Sequence, residues 1–274
     1  MKREFEELFK LLFRAWWAVL FLPIFHSYAA EDETTDRIVV NFCAPANDAY
    51  PFFIIKNDKL AGINPDLVRQ IFGESTLSNV TLQFIKRPWK RCNAELESGI
   101  VDMMIGGFDP KRDNVVYPSR LGFRLEDSAV SVANVCFSSI AGSQMERTRK
   151  GMQGQGTFTV GIQAGFSKQH SDKINPQWVE LYNPIEKYKM LEKGRVDAIV
   201  QVCAMDNDYP IETKSEVIGF TNFEPLYPPY LSNPAYVVFS ENFADKHREL
   251  AKRIVTLSSN IDKTAVYSRY KPKH

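Results

Sequence analysis

The sequence predicts an α/β fold of two similar lobes with a ligand cleft between them. The first observation is a repeated phrase: Leu96-Glu97-Ser98-Gly99-Ile100-Val101-Asp102-Met103-Met104-Ile105 returns 95 residues later as Leu191-Glu192-Lys193-Gly194-Arg195-Val196-Asp197-Ala198-Ile199-Val200. The second is the physical character of each copy. The Leu-Glu end closes a polar, helix-compatible stretch, the Gly suits the left-handed residue that ends a helix, and a short apolar run follows as a buried strand. One αβ unit is therefore expected twice. Ligands of open α/β sheets bind outside the carboxyl ends of the strands, here between the lobes.

The first thirty residues stand outside that fold. Lys2 and Arg3 precede an apolar run from Ala15 to Phe25 and a small-residue end at Ser27-Tyr28-Ala29-Ala30, the pattern of a cleavable secretory signal. The run is about 11 residues, against the roughly 20 needed to span a bilayer. Glu4, Glu6 and Glu7 make the leading region unusually acidic, which leaves an uncleaved interfacial anchor as the alternative. No Cys stands near the cleavage point, which argues against a lipid anchor.

Arg37 to Cys43 alternates as a strand, followed by a polar loop and the cluster Tyr50-Pro51-Phe52-Phe53 at the strand's carboxyl end. Lys56 to Lys59 is a turn, Asp66 to Phe72 carries apolar residues at helical spacing, and Val80 to Ile85 is a second strand. Pro88 opens the helix that ends at Gly99, and Asp102 to Gly107 is the third strand, followed by the turn Asp109 to Arg112. Ala129 to Phe137 reads as a long strand able to carry the chain between lobes, a hinge candidate. Residues 141 to 156, with Gly142, Gly151, Gly154 and Gly156, read as a loop around a basic helical turn. Thr157 to Gln163 is a strand ending in Ala164 to Ser167, and a helix leads away from it. Ile185 to Glu192 is the helix before the second copy. The Pro-rich stretch Pro225 to Pro234 returns the chain to a strand at Ala235 to Phe239, and helical segments near 241–259 and 261–270 complete the first lobe.

Without residues 1–30, removing 4 of 34 basic and 3 of 33 acidic residues leaves 30 of each. A formally neutral chain is not expected to bind nucleic acid. About 244 residues with no second apolar span can bury a sizeable core. Cys43, Cys92, Cys136 and Cys203 all lie in the exported part, where disulfides form. Their spacing does not resemble a zinc site, and four cysteines allow three connectivities. If Cys43 and Cys92 share one lobe and Cys136 and Cys203 the other, the pairs 43–92 and 136–203 follow; four buried free thiols are the alternative.

Several short pieces then fall into a recognisable order. They are Tyr50-Pro51-Phe52, Gly62 to Val68, Trp89 with the helix ending in Leu96 to Asp102, Asp109 to Arg112 before Tyr117-Pro118-Ser119, Val160 to Gly165, Gly194 to Ala198, and Tyr236 to Ser240. Over most of residues 36–270 this order resembles the extracellular solute-binding proteins of bacterial transporters, of the polar amino-acid type. The resemblance implies a type 2 periplasmic-binding-protein fold with a two-segment hinge. Its first lobe would be discontinuous (36–127 plus 235–274) and its second inserted (128–234). It implies capture of a small carboxylate-bearing solute that passes to an ABC transporter permease; the signal pattern adds an expected periplasmic location, a neutral two-lobed binder is expected to be a monomer, and no cofactor or metal is expected.

The resemblance also implies site residues. Arg112 stands where the family binds the ligand carboxylate, and its guanidinium offers a planar, permanently charged match to that group. Trp89 takes the place of a stacking aromatic, and Tyr50 and Phe52 match the opposite wall. Gly107 can offer its N–H, whereas Ile105 cannot supply the hydroxyl that relatives often place there. Gly165 and Ser167 align with a Gly and small hydroxyl residue at a helix N-terminus that helps hold the carboxylate; a helix N-cap is the plainer reading of Ser167. One position departs. Where amino-acid binders place an acid against the ligand's α-ammonium, this chain has Val202, and a buried ammonium there would lose its partner at a cost of several kcal/mol. Asp206 or Asp208 are the available substitutes; otherwise the ligand is a carboxylate without the α-amino group.

The same fold also carries enzymes, including dehydratases and transglycosylases, so catalysis has to be argued from the site. Glu126 and Glu224 lie near the predicted crossovers but in no catalytic pattern, and His26, His170, His247 and His274 are scattered without metal or triad spacing. A binding protein is expected, not an enzyme. A sensor read by a membrane receptor needs the same ligand-driven closure as a delivery protein.

Overall fold

The computed structural model describes residues 37–164, 168, 174–183, 185–206, 209–213, 219–220 and 222–272. The signal reading, Gly165, Ser167 and Asp208 lie outside the described residues. The chain forms β1 (Ile38–Pro45), β2 (Ile54–Lys56), β3 (Lys59–Ala61), α1 (Ile63–Phe72), β4 (Val80–Arg87), α2 (Trp89–Glu97), β5 (Met103–Gly107) and β6 (Val115–Val116). It continues with β7 (Ser131–Ile140), α3 (Ser143–Met152), β8 (Thr159–Gln163), β9 (Gln177–Leu181), α4 (Glu186–Glu192), β10 (Ala198–Met205) and β11 (Tyr209–Pro210). Strand β12 (Phe223–Ser240) and helices α5 (Glu241–Lys246), α6 (Arg248–Asn260) and α7 (Thr264–Tyr267) follow.

One sheet runs in the order β4-β1-β5-β12-β7-β10-β8-β9. Its two ends repeat one design. At one end β1 is parallel to β4 and β5, and β5 is antiparallel to β12. At the other, β8 is parallel to β9 and β10, and β10 is antiparallel to β7. Strands β7 and β12 pair antiparallel in the middle, Ala235 opposite Ser131 and Leu231 opposite Val135. The repeated phrase supplies the corresponding helix and strand at each end, α2 to β5 and α4 to β10. Gly99 and Gly194 between them take φ values of 73° and 65°, the left-handed conformation their positions predict.

Each Asp of the phrase pins its strand to the one beside it. Asp102 accepts the Asn41 N–H at 2.7 Å and donates its own N–H to the Asn41 carbonyl at 3.0 Å. Asp197 accepts the Thr159 N–H at 2.8 Å and its hydroxyl at 2.9 Å, takes a third bond from Arg147 at 2.6 Å, and donates its N–H to the Thr159 carbonyl at 2.9 Å. Burial opposes ionisation of Asp197, but the Thr159 N–H, the Arg147 guanidinium and the Thr159 hydroxyl together hold its carboxyl below the ordinary value of 3.8. A carboxyl depressed in the folded state stabilises above its unfolded pKa, and that contribution is lost as the pH falls through the lower folded value. Asp197→Ala should therefore cost about 2–3 kcal/mol at neutral pH by removing three hydrogen bonds. Denaturant midpoints should differ most at pH 7 and converge below pH 3.8.

The core alternates across the sheet as pleating dictates. Val40 and Phe42 of β1, Met103 and Ile105 of β5, and Val237 and Phe239 of β12 pack on one face with Leu67, Ile71, Ala251 and Ile254 from α1 and α6. Cys43, Met104 and Val238 pack on the other face with Cys92 and Leu96 of α2. At the far end Ile199 sits with Tyr188 and Leu191 of α4, and Ala198 with Phe137, Phe158 and Val160. Disulfides Cys43–Cys92 and Cys136–Cys203 join β1 to α2 and β7 to β10, with Cα separations of 5.6 and 5.8 Å. These are the two pairs that follow when each lobe keeps its own cysteines.

Three stretches differ from the sequence expectation. Residues 143–152 are the full helix α3, because Gly151 is a contact residue and not a breaker: a Cβ there would run into the Phe158 ring. Gln177–Leu181 is the edge strand β9, paired with β8 from Gln177 opposite Thr159 to Leu181 opposite Gln163. The Pro-rich stretch belongs to β12. Its register shifts between Leu226 and Leu231, so Pro228 and Pro229 fall in an irregularity where no ladder N–H is required.

Asp206, which follows β10, takes φ 44° and ties this end of the sheet to the C-terminal helices. Its carboxylate accepts the Val132 N–H at 2.7 Å and the Tyr267 hydroxyl at 2.8 Å, and lies 3.5 Å from the Lys263 ammonium. Burial, then Asp206, push the Tyr267 phenol well above its ordinary range.

Candidate functional site

A cavity of about 190 Å³ is lined by residues from both halves of the sheet. The loop after β1 contributes Asp48, Tyr50 and Phe52, strand β7 Ala133 and Val135, and β8 Ile162 and Gln163. Helix α4 adds Lys187 and Tyr188, β10 adds Val200, Gln201 and Val202, and β12 adds Tyr230, Leu231 and Asn233.

The aromatic loop is held by its own backbone. Phe52 donates its N–H to the Ala49 carbonyl at 2.8 Å, and Ala49 donates to the Phe53 carbonyl at 2.8 Å. The N–H groups of Ile63 and Asn64, at the start of α1, reach the carbonyls of Pro51 and Phe52 at 3.0 and 3.1 Å. Gly62 makes this close approach possible, since a Cβ there would stand 2.5 Å from the Phe52 carbonyl oxygen at φ 110°. Phe53 is buried in the core, which leaves Tyr50 and Phe52 to wall the cavity. Asp48 is turned to the loop itself, accepting the Ile55 N–H at 2.7 Å.

The opposite wall carries the polar chemistry. Lys187 is 9% exposed; its Nζ donates to the Val200 carbonyl at 2.8 Å and lies 5.0 Å from the Tyr188 ring centre. Gln201, 5% exposed, donates its amide to Ser138 Oγ at 2.7 Å. Among the described residues, neither Gln201 Oε1 nor the Tyr188 hydroxyl, both buried, has a hydrogen-bond partner. Burial drives the Tyr188 phenol far above its usual range, so it is an O–H donor at neutral pH. Tyr230 is backed by Phe137, with ring centres 4.5 Å apart.

Of the residues singled out from sequence, Tyr50, Phe52 and Val202 line the cavity. Gly107 is not among its lining residues; a Cβ there would lie 3.6 Å from the side chain of Asn233, which is one. Arg112 and Trp89 are not among its lining residues. Arg112 Nε donates to Glu97 Oε1 at 3.0 Å, and its buried Nη2 has no partner among the described residues. Trp89, the first residue of α2, is 43% exposed. Asp206 is not a lining residue and is committed to Val132 and Tyr267, so it does not stand in for the missing acid. Sequence reasoning missed Lys187, Tyr188 and Gln201. The available signal was Lys187 itself, four residues before the buried Leu191 on the inward face of α4.

Residues 43–122 match the bacterial extracellular solute-binding proteins, family 3. The fold is that of the type 2 periplasmic binding proteins. A substrate-binding protein of an amino acid ABC transporter matches with TM-score 0.54 at 17% identity, covering 84% of this chain and 96% of that one. A histidine kinase sensor domain with similarity to periplasmic binding proteins matches with TM-score 0.54 at 16% identity, covering 85% and 95%. The BvgS periplasmic domain of B. pertussis matches with TM-score 0.56 at 16% identity; 87% of this chain is covered, and the chain spans 44% of that one. A comparison with curated protein sequences finds no match. Among the described residues, no helix is long and apolar enough to cross a membrane.

Proposed function

We propose that this solute-binding chain captures a small carboxylate-bearing solute outside the cytoplasm and delivers it, as a monomer, to an ABC transporter permease. The observation that carries the reading is the cavity's composition. Tyr50 and Phe52 from one end of the sheet face Gln163, Lys187 and Val202 from the other, while only β7 and β12 run between the ends. In this reading residues 36–127 with 235–274 form one lobe, 128–234 the other, and the middle strands the hinge. In this proposal closure excludes water and brings Trp89, Gly107 and Arg112 onto the solute, and Gly165 and Ser167, outside the described residues, keep the roles that the resemblance implies.

Arg112 supports its assigned role through its present partner. Its guanidinium already holds a carboxylate, Glu97, and keeps one buried nitrogen unused among the described residues. Exchange of Glu97 for a solute carboxylate keeps that charge paired on closure. The fold likeness to a sensor domain favours a second reading, in which the same closure is read by a membrane receptor.

Thermal unfolding against amino acids, amines, keto acids and aromatic carboxylates tests the proposal. A carboxylate at a hundred times its dissociation constant should stabilise the chain by about 2.7 kcal/mol. Arg112→Ala should abolish that gain. A folded chain that no compound stabilises would refute solute capture.

A further inference from the structure

Two residues of the cavity wall carry polar atoms with nothing to bond. Tyr188 and Gln201 both line the cavity and are 1% and 5% exposed, yet neither the Tyr188 hydroxyl nor Gln201 Oε1 has a hydrogen-bond partner among the described residues. Pleating puts them on one side of the sheet. Gln201 shares its face of β10 with Ile199, two residues before it, and Ile199 packs with Tyr188 of α4. Both side chains are also held. The Gln201 amide donates to Ser138 Oγ at 2.7 Å, which leaves its carbonyl oxygen as the open end. The Tyr188 ring is stacked with Phe220 and Phe223, with centres 5.7 and 6.1 Å apart. A buried donor or acceptor left unpaired is costly, and a ligand that supplies the missing partner recovers that cost.

Asp48 and Lys187 bring one carboxylate and one ammonium to the same cavity, the first accepting the Ile55 N–H and the second donating to the Val200 carbonyl. Their formal charges cancel, so charge does not select the ligand group. The two unpaired atoms do. Gln201 Oε1 only accepts, whereas the Tyr188 hydroxyl has a proton to give. A carboxylate has no hydrogen for Gln201, and an ammonium has no lone pair for the Tyr188 proton. We infer that Tyr188 and Gln201 form a subsite for an uncharged group that donates and accepts at once, a hydroxyl or a carboxamide, carried by the solute in addition to its carboxylate. The inference rests on the proposed solute capture. Val135, Ile162 and Val200 in the same lining agree with it, because apolar neighbours give a charged group nothing in return for its lost hydration. A site built to pair buried polar groups discriminates strongly against a ligand that lacks one of them.

Calorimetric titration of the whole chain with matched pairs tests this. Threonine with valine, tyrosine with phenylalanine and lactate with propionate form the hydroxyl arm, and glutamine with glutamate the amide arm. Any other compound that stabilises the chain is titrated beside its counterpart without the hydroxyl, or with a carboxylate in place of the amide. In one arm the hydroxyl or amide member should bind roughly tenfold tighter or better, and the arm that shows it names the group. Tyr188→Phe removes only an unpartnered hydroxyl, so the unliganded chain should unfold no earlier while that preference falls roughly fivefold or more. Gln201→Met should reduce the preference likewise; if that variant fails to fold, Tyr188→Phe decides alone. A solute that binds as well without the group, or a preference unchanged in either folded variant, would overturn the inference and leave solute capture standing. If none of these compounds and no member of the wider library binds, both fall together.

Discussion

Chains lacking one disulfide should unfold with about 4 kcal/mol less free energy than the oxidised protein. The bridges close segments of 49 and 67 residues. Loop-closure entropy removed from the unfolded state gives roughly 4 kcal/mol for loops of that length. Guanidinium titrations of the Cys43→Ala/Cys92→Ala and Cys136→Ala/Cys203→Ala variants measure each contribution separately. The two should add nearly independently, because the first joins β1 to α2 and the second joins β7 to β10 without shared partners. Four reactive thiols in the denatured, unreduced chain would remove the basis for this result and restore the free-thiol reading.

Truncation of Phe137 is the second large effect. Its ring is fully buried on β7 between Phe158, Trp178 and Tyr230, with centre distances of 5.3, 6.3 and 4.5 Å. Phe137→Ala should cost about 3–5 kcal/mol, the transfer energy of the ring plus that of the cavity it leaves. The functional consequence is specific to this site. Tyr230 lines the cavity proposed to hold the solute, with Phe137 behind it, so ligand-induced stabilisation should shrink along with the chain's own stability. A variant that unfolds early but gains the full ligand shift would show that Tyr230 needs no backing.

Much of the architecture is legible in the sequence because it is written locally and twice. A helix end, a left-handed glycine and a buried strand need no tertiary information, and Gly99 and Gly194 adopt the conformation those rules require. What is lost is what tertiary contact decides. Gly151 reads as a breaker until Phe158 is seen against it, and Pro228 with Pro229 reads as loop until the irregularity in β12 absorbs them. The site divides in the same way. Tyr50, Phe52 and Val202 come from the family resemblance, and each lines the cavity. Lys187 is invisible to that method, since a lysine on a polar helix reads as solvated until α4 is laid against β8 and β10. The placement of Arg112 and Trp89 outside the cavity lining has the same origin, because a turn and a helix start are local features while the reach of their side chains is set by tertiary packing.

The middle strands also set the order in which this chain can be finished. Strand β5 takes its neighbour from residues 235–239, and α1 is covered by α6, so the first end of the sheet draws on elements more than a hundred positions apart. The second end, from β7 to β12, is contiguous. A chain emerging residue by residue can therefore assemble its middle before its beginning. The N-terminal strands must wait, with apolar Val40, Phe42 and Met103 uncovered, until the last strand and helix arrive, and distant pairings of this kind form slowly. Among the described residues, the earlier strands are therefore completed after the later ones.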